Sequence, residues 1–478
     1  AGFTAATDDD TDTVVIVTTA ANVAQANTIA LATTGLVTFQ AGITDDISAM
    51  VNGGNATTAF ADATNGTTGD GDTLVTVNDA VTVAEAKLVA ANTTGTMVFT
   101  TGIEDAVASL VNAGNTAQHD DLAIITARTT DVIIKVTDEV TVAQANIIAT
   151  ATTGQVDFAH ADGIKDTSLA MVTALGAEEA AFTAATKGDA TSDGDAGAAI
   201  TVTTTANVLQ AKLIVDATTG EVDFAAGITD DISAMVNGGN ATTAFADATN
   251  GTTGDGDTLV TVNDAVTVAE AKLVAANTTG TMVFTTGIED AVASLVNAGN
   301  TAQHDDLAII TARTTDVIIK VTDEVTVAQA NIIATATTGQ VDFAHADGIK
   351  DTSLAMVTAL GAEEAAFTAA TKGDATSDGD AGAAITVTTT ANVAQANVLA
   401  AATTGELDFV AGIQDSAVNM AAAANGAEKA GFTAATDDDT DTVVIVTTAA
   451  NVAQANTIAL ATTGLVTFQA GITDDISA

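Results

Sequence analysis

Short loops crowded with aspartate recur along the chain. They read Asp8-Asp9-Asp10-Thr11-Asp12, Asp70-Gly71-Asp72, Asp189 with Asp193-Gly194-Asp195, Asp255-Gly256-Asp257, Asp374 with Asp378-Gly379-Asp380, and Asp437-Asp438-Asp439-Thr440-Asp441. Calcium takes about six to eight oxygen ligands, and Asp/Gly loops offer carboxylates and carbonyls on a tightly turning backbone. The candidate ligands are therefore Asp8, Asp10, Asp12, Asp70, Asp72, Asp189, Asp193, Asp195, Asp255, Asp257, Asp374, Asp378, Asp380, Asp437, Asp439 and Asp441. The competing reading is a solvated turn, where Asp and Gly are the expected residues. The sequence holds neither a full EF-hand loop nor the Gly-Gly-x-Gly-x-Asp nonapeptide. The loops at Asp120-Asp121 and Asp305-Asp306 differ, so not every segment need bind a cation.

Other chemistry is sparse. A Gly-Ile-x-Asp motif recurs, as at Gly42–Asp45, Gly102–Asp105 and Gly163–Asp166. Its aspartates read as helix N-caps ahead of metal ligands, because their position explains them. His119, His160, His304 and His345 form two duplicate pairs and read as surface residues; His119-Asp120-Asp121 is the one arrangement suited to a metal. Nucleophilic triads, phosphate-binding glycine loops and zinc signatures are not found. Asn55, Asn65 and Asn92, with copies at Asn240, Asn250 and Asn277, fit the N-glycan acceptor pattern, which chance produces readily in a Thr-rich chain. Thr201, Thr203 and Thr205 alternate as if on an exposed strand face, and the β-propensity of Thr accounts for them.

The elements that position these residues come in repeats. Ala41–Val208 reappears unchanged as Ala226–Val393, and Ala1–Ala49 as Ala430–Ala478. A Thr-Thr-Gly tripeptide places glycine at Gly35, Gly95, Gly154, Gly220, Gly280, Gly339, Gly405 and Gly464, at spacings of 59, 60 or 66 residues. The repeats so defined span 1–60, 61–119, 120–185, 186–245, 246–304, 305–370, 371–429 and the incomplete 430–478. Each opens on a short β-branched run such as Val14–Val17 or Leu74–Val77, which predicts a strand. A Thr or Asn followed three positions later by Glu or Gln (Asn22/Gln25, Thr82/Glu85, Thr141/Gln144) predicts a capped helix of about three turns. The helix is expected to stop at Thr-Thr-Gly, with the glycine left-handed. A second strand ends on Phe39, Phe99, Phe158 or its equivalents, the expected core anchor in a chain without Trp or Tyr. Gly-Ile-x-Asp then caps a short second helix such as Ile47–Val51. The fold class is α/β, tandem β-α-β-α repeats of about 60 residues forming an elongated array, with parallel crossovers.

Composition narrows the partners. Sixty-one acidic residues against 12 basic ones give the 478-residue chain a formal charge of −49, while 47% of residues are apolar. Such a chain repels nucleic acid and anionic membranes and attracts cations. Cysteine is absent, which excludes disulfides and thiolate metal sites. Apolar runs fall short of a membrane span. The sequence carries no signal peptide or initiator Met and breaks off within a repeat, as a processed form or a slice of a longer protein would.

The succession of strand, Thr-Val-Ala-Gln-Ala, Thr-Thr-Gly-x-Val and Gly-Ile-x-Asp resembles the short α/β repeats of very large secreted bacterial proteins, notably in cyanobacteria: hemolysin-type calcium-binding adhesins and surface-layer or sheath proteins. The resemblance implies secretion, calcium as a cofactor and a cell-surface or extracellular location. The expected function is an extracellular structural protein that assembles with copies of itself, head to tail or laterally, into a filament, sheath or surface layer. The alternative is an adhesin stalk or a binding module for glycan or ice. An enzyme is not expected.

Overall fold

The computed structural model describes residues 14–65, 68–158, 160–176, 197–250, 254–343, 345, 348–361, 383–403, 405–426, 432–433 and 442–475. The chain divides into two units: Ala1–Ile228 with Thr243–Thr258, and Thr229–Thr242 with Leu259–Ala478. Both are mixed α/β, built of repeating β-α elements and small parallel sheets.

The first unit opens with β1 (Val15–Val17), α1 (Val23–Leu31), β2 (Val37–Phe39), β3 (Ile43–Asp45) and α2 (Ile47–Met50). A hairpin of β4 (Val51–Asn52) and β5 (Asn55–Ala56) leads to α3 (Thr58–Asn65), β6 (Val75–Val77), α4 (Val83–Asn92) and β7 (Met97–Phe99). The capped helix forms as expected in every repeat. In α4 the Thr82 hydroxyl accepts from Glu85 N, and the Glu85 carboxylate accepts from Thr82 N at 2.9 Å. Each helix turns small residues such as Ala26 and Ala30 inward, and α1 packs on α3. Seven of the eight strand-end Phe residues are buried, Phe39 and Phe224 at 3% and 2% exposure.

Gly-Ile-x-Asp departs from expectation. Ile43–Asp45 is not the lead-in to a helix but a third strand, so a repeat runs β-α-β-β-α. Its partner lies in the next repeat: β3 pairs parallel with β6, Ile43 opposite Val75, and β6 pairs with β7, Val75 opposite Met97. The same strand order recurs in the first unit as Ile103–Asp105, Ile134–Val136, Val156–Phe158 and as Ile164–Asp166, Ile200–Val202, Val222–Phe224. The second unit repeats it three times, from Ile288, Ile349 and Ile413. Every such sheet borrows its first strand from one repeat and its other two from the following repeat. The sheets are small and separate.

Two glycine roles also differ from expectation. The glycines of Gly-Ile-x-Asp are left-handed, such as Gly42 at φ +80°, where the chain turns into β3. The Thr-Thr-Gly glycines are needed for space: a Cβ on Gly95 would lie 2.2 Å from the carbonyl oxygens of Asp72 and Thr73. The helix is instead ended by an extended threonine, Thr93, whose hydroxyl donates to Thr73 O and accepts from Gly95 N.

Candidate cation cleft and the joints between repeats

The aspartate of Gly-Ile-x-Asp caps a helix, but not the one that follows it. The short helix α2 has Asp46 at its N-cap with no side-chain bond. Asp45 reaches back instead, its Oδ2 accepting from Val23 N at the start of α1 at 3.0 Å, and its Oδ1 accepting from Asp46 N. Asp105 does the same for Val83, and Asp166 for Val142. The orphan N–H of α2 is met from the next repeat: Ile47 N donates to Asp79 Oδ1 at 2.7 Å. Asp138 serves Val107, and in the second unit Asp264 serves Ile232 and Asp323 serves Val292. Thr204, Thr389 and Thr448 fill the same place with a hydroxyl for Ser168, Ser353 and Ala417. Each consecutive pair is thus joined by a strand pairing and a cap. An N-cap bond contributes about 1 kcal/mol.

A third tie involves the predicted acidic loops. Asp70 Oδ2 accepts from Phe39 N at 3.0 Å, closing the outer edge of β2, and Thr73 Oγ1 donates to Phe39 O. Asp255 Oδ2 accepts from Phe224 N at 2.9 Å in the same way. In the loop that lacks this Asp, Arg128 makes a different tie: its guanidinium donates to Ala90 O and Gly95 O at the end of α4, where Thr68 Oγ1 donates to Ala30 O at the end of α1. Arg313 repeats this on Ala275 O and Gly280 O.

Asp255 and Asp257 also line an open cleft of about 370 Å³ with Asp162, Glu221 and Asp223. Asp223 alternates with the inward Val222 and Phe224, so it stands on the outer face of its strand. Burial pushes the Asp255 carboxyl up to about 6, helped by the hydrogen bond its protonated form donates to Asp257 and by the charges of Asp257 and Asp223, against the lowering effect of the Phe224 N–H. Asp223 is raised by burial and then by Asp162, Asp257 and Glu221, with Lys165 opposing. Asp70 is raised by burial and by Asp72. Lys165 lies 2.9 Å from Glu139 and 3.5 Å from Asp162, whose backbone N–H donates to His160 Nδ1. A second cleft, of about 460 Å³, is lined by Thr82, Glu85, Glu104 and Asp105, but Glu85 and Asp105 there already cap α4.

Of the candidate calcium ligands, Asp70, Asp72, Asp255 and Asp257 are placed, in two pairs. Asp8, Asp10, Asp12, Asp189, Asp193, Asp195, Asp374, Asp378, Asp380, Asp437, Asp439 and Asp441 lie outside the described residues. Each placed pair brings two carboxylates, one already accepting a backbone N–H, and among the described residues no three His, Asp or Glu side chains are grouped to hold a metal ion. The sequence reading missed Asp162, Glu221 and Asp223, which reach the cleft from other repeats. It also missed Asp79 and Asp264, although an Asp or Thr two residues beyond the first strand recurs at the same place.

The remaining candidates have local roles. His119 Nδ1 accepts from Asp121 N at the start of helix Asp120–Thr126, and Lys87 pairs with Asp121 at 2.6 Å. His304 repeats this cap on Asp306 N. Thr201 is not exposed: it is 6% accessible and donates to Asp162 O, while Thr203 and Thr205 lie beyond the strand. Asn55 sits on the hairpin, Asn65 ends α3, and Asn92 donates to Leu88 O. Among the described residues no helix is long and apolar enough to cross a membrane. No protein family, curated protein or solved structure matches the chain.

Proposed function

We propose that this is an extracellular structural protein whose repeats form an elongated array and which assembles with its own copies into a filament, sheath or surface layer. The observation that carries this reading is the joint. Consecutive repeats share a sheet, and the same strand pairing and cap recur with only Asp exchanged for Thr. Such joints can be added without limit, which suits a protein that works by extension. Glu85 and Asp105 of one cleft are spent on the cap of α4, and Asp255 of the other holds a strand edge.

Divalent cations, calcium foremost, act in this reading by screening rather than by insertion into a loop cage. A charge of −49 favours loosening, and the cleft at Asp162, Glu221, Asp223, Asp255 and Asp257 concentrates part of that charge. Electron micrographs of the native material, taken with calcium and after chelation, test both parts. Filaments or sheets that loosen on chelation are expected. Isolated particles overturn the structural role, and filaments indifferent to chelation overturn the role of cations.

A further inference from the structure

We propose that the middle residue of each Ile-x-Asp strand, read against the residue opposite it on the next repeat, is a charge code that fixes which repeat joins which. It concerns the order of repeats within one chain and holds whether or not chains assemble. The backbone alone cannot set that order. Ile43, Ile103 and Ile164 lie opposite Val75, Ile134 and Ile200 in one register, and their N–H groups donate to Leu74 O, Ile133 O and Ala199 O at 2.8, 2.8 and 2.9 Å. Any of these strands fits any of these edges. Chain length discriminates weakly, because loop closure grows costly only as the logarithm of length. Ile200 is about three times farther along the chain from Ile103 than Ile134 is, which favours the true neighbour by only about fivefold.

What differs between joints is the outer face of the sheet. Across its three strands the middle residues read Thr44, Thr76 and Val98, then Glu104, Lys135 and Asp157, then Lys165, Thr201 and Asp223. In the second unit Glu289, Lys320 and Asp342, then Lys350, Thr386 and Asp408, repeat the two charged forms. Lys135 Nζ lies 3.7 Å from Glu104 and Lys320 Nζ 3.4 Å from Glu289, each pair crossing a repeat boundary. Lys165 and Lys350 pair instead with Glu139 and Glu324 of their own repeats and stand opposite an uncharged Thr. Opposite charges set directly across two strands stabilise a sheet, and like charges destabilise it. A Lys165 strand on the Lys135 edge would bring two ammonium groups together, and a Glu104 strand on the Thr201 edge would give up its lysine. The helices read the same boundary with the signs reversed. Lys87 pairs with Asp121 of the next repeat at 2.6 Å, and Lys272 with Asp306 at 2.7 Å. The repeat that offers Glu104 on its strand thus offers Lys87 on its helix, and its neighbour answers with Lys135 and Asp121. The repeat that carries Lys165 has Asn146 in place of Lys87, so it matches that receiving edge at neither point.

The duplication of Ala41–Val208 as Ala226–Val393 supplies a test matched in composition. Glu104→Lys with Lys135→Glu exchanges the charges within one joint. Glu104→Lys with Lys320→Glu makes the same changes in identical local sequence, but divides them between two joints. Hydrogen exchange at the Ile103 and Ile288 amides, which donate to Ile133 O and Ile318 O at 2.8 Å, reads the opening of each joint, and circular dichroism checks that each variant folds. The first pair is expected to exchange as the wild type does, and the second about fivefold or more faster at both amides. Equal exchange in the two pairs overturns the code. Refolding reads the ordering itself. Glu104→Gln, Lys135→Gln, Glu289→Gln and Lys320→Gln together erase the strand charges without adding a repulsion. After dilution from urea, the fraction of molecules in which the Ile103 and Ile288 amides stay open should rise about fivefold over wild type. A fraction no greater than that of the wild type overturns the ordering role, even where the charges couple. Neither result bears on assembly between copies, which the micrographs test separately.

Discussion

Asp70 and Asp255 occupy the same place in loops of identical sequence, and each accepts one hydrogen bond from the Phe of the preceding strand. Their electrostatics differ. Asp72 alone adds to the effect of burial on Asp70, whereas Asp255 answers to Asp257 and Asp223 and rises to about 6. The difference comes from the repeat before. The strand beside Asp70 carries Leu36 and Thr38 where the strand beside Asp255 carries Glu221 and Asp223. A repeat fixes the backbone of its loop, but its neighbour decides how that loop titrates. The joints, by contrast, are the same in the duplicated segments: Ile47 to Asp79 and Ile232 to Asp264 are both 2.7 Å.

Equivalence of the joints is broken most easily at the core. Phe99→Ala and Phe284→Ala, both 5% exposed in three-stranded sheets, are each expected to cost about 3–5 kcal/mol. Urea denaturation should show equal losses, and a clear inequality would mean the two sheets are not equivalent. Next come the caps. Asp79→Ala and Asp264→Ala should each cost about 1 kcal/mol. Asp79→Thr should recover most of the loss, since Thr204 fills that place for Ser168. Hydrogen exchange at Ile47 and Ile232 reads the effect locally, and protection unchanged by the Ala variants would remove the cap from the account.

The loops should then diverge with pH. A carboxyl raised from 3.8 to about 6 in the folded protein binds its proton more tightly there than in the unfolded chain. Its contribution is full below the unfolded value and is lost as pH rises through about 6. Asp255→Asn keeps an acceptor for Phe224 N and removes the charge. It should raise the melting temperature at neutral pH and lose that advantage below about pH 4. Asp70→Asn should gain less; equal gains would show that Glu221 and Asp223 do not matter. The smallest expected effect is a graft. Thr38→Asp should raise the Asp70 carboxyl and Asp223→Asn should lower that of Asp255, both read by carboxyl NMR titration.

What was legible in the sequence was local. Thr82 and Glu85 are three residues apart, and that spacing suffices to place the start of α4. The apolar character of Phe39 and its equivalents was enough to place them in the core. What was illegible depended on partners from elsewhere. Ile43–Asp45 is too short to declare itself a strand, and its backbone partners, Leu74 and Asn78, belong to the next repeat. Asp45 follows local rules for a cap, yet its bond goes back to Val23 because β3 runs past the start of α1. Gly95 looked like a helix terminator, and only the approach of Asp72 and Thr73 shows why a side chain is forbidden. The cleft could not be read from its loop, because three of its five carboxylates arrive from Asp162, Glu221 and Asp223.

The array itself is tested most directly by small-angle X-ray scattering on the chain at a dilution where it is single. A compact globule of 478 residues has a radius of gyration of about 23 Å. The account predicts a value well above this and a scattering profile of a rod-like particle. A radius close to the globular value, with a symmetric distance distribution, would contradict it.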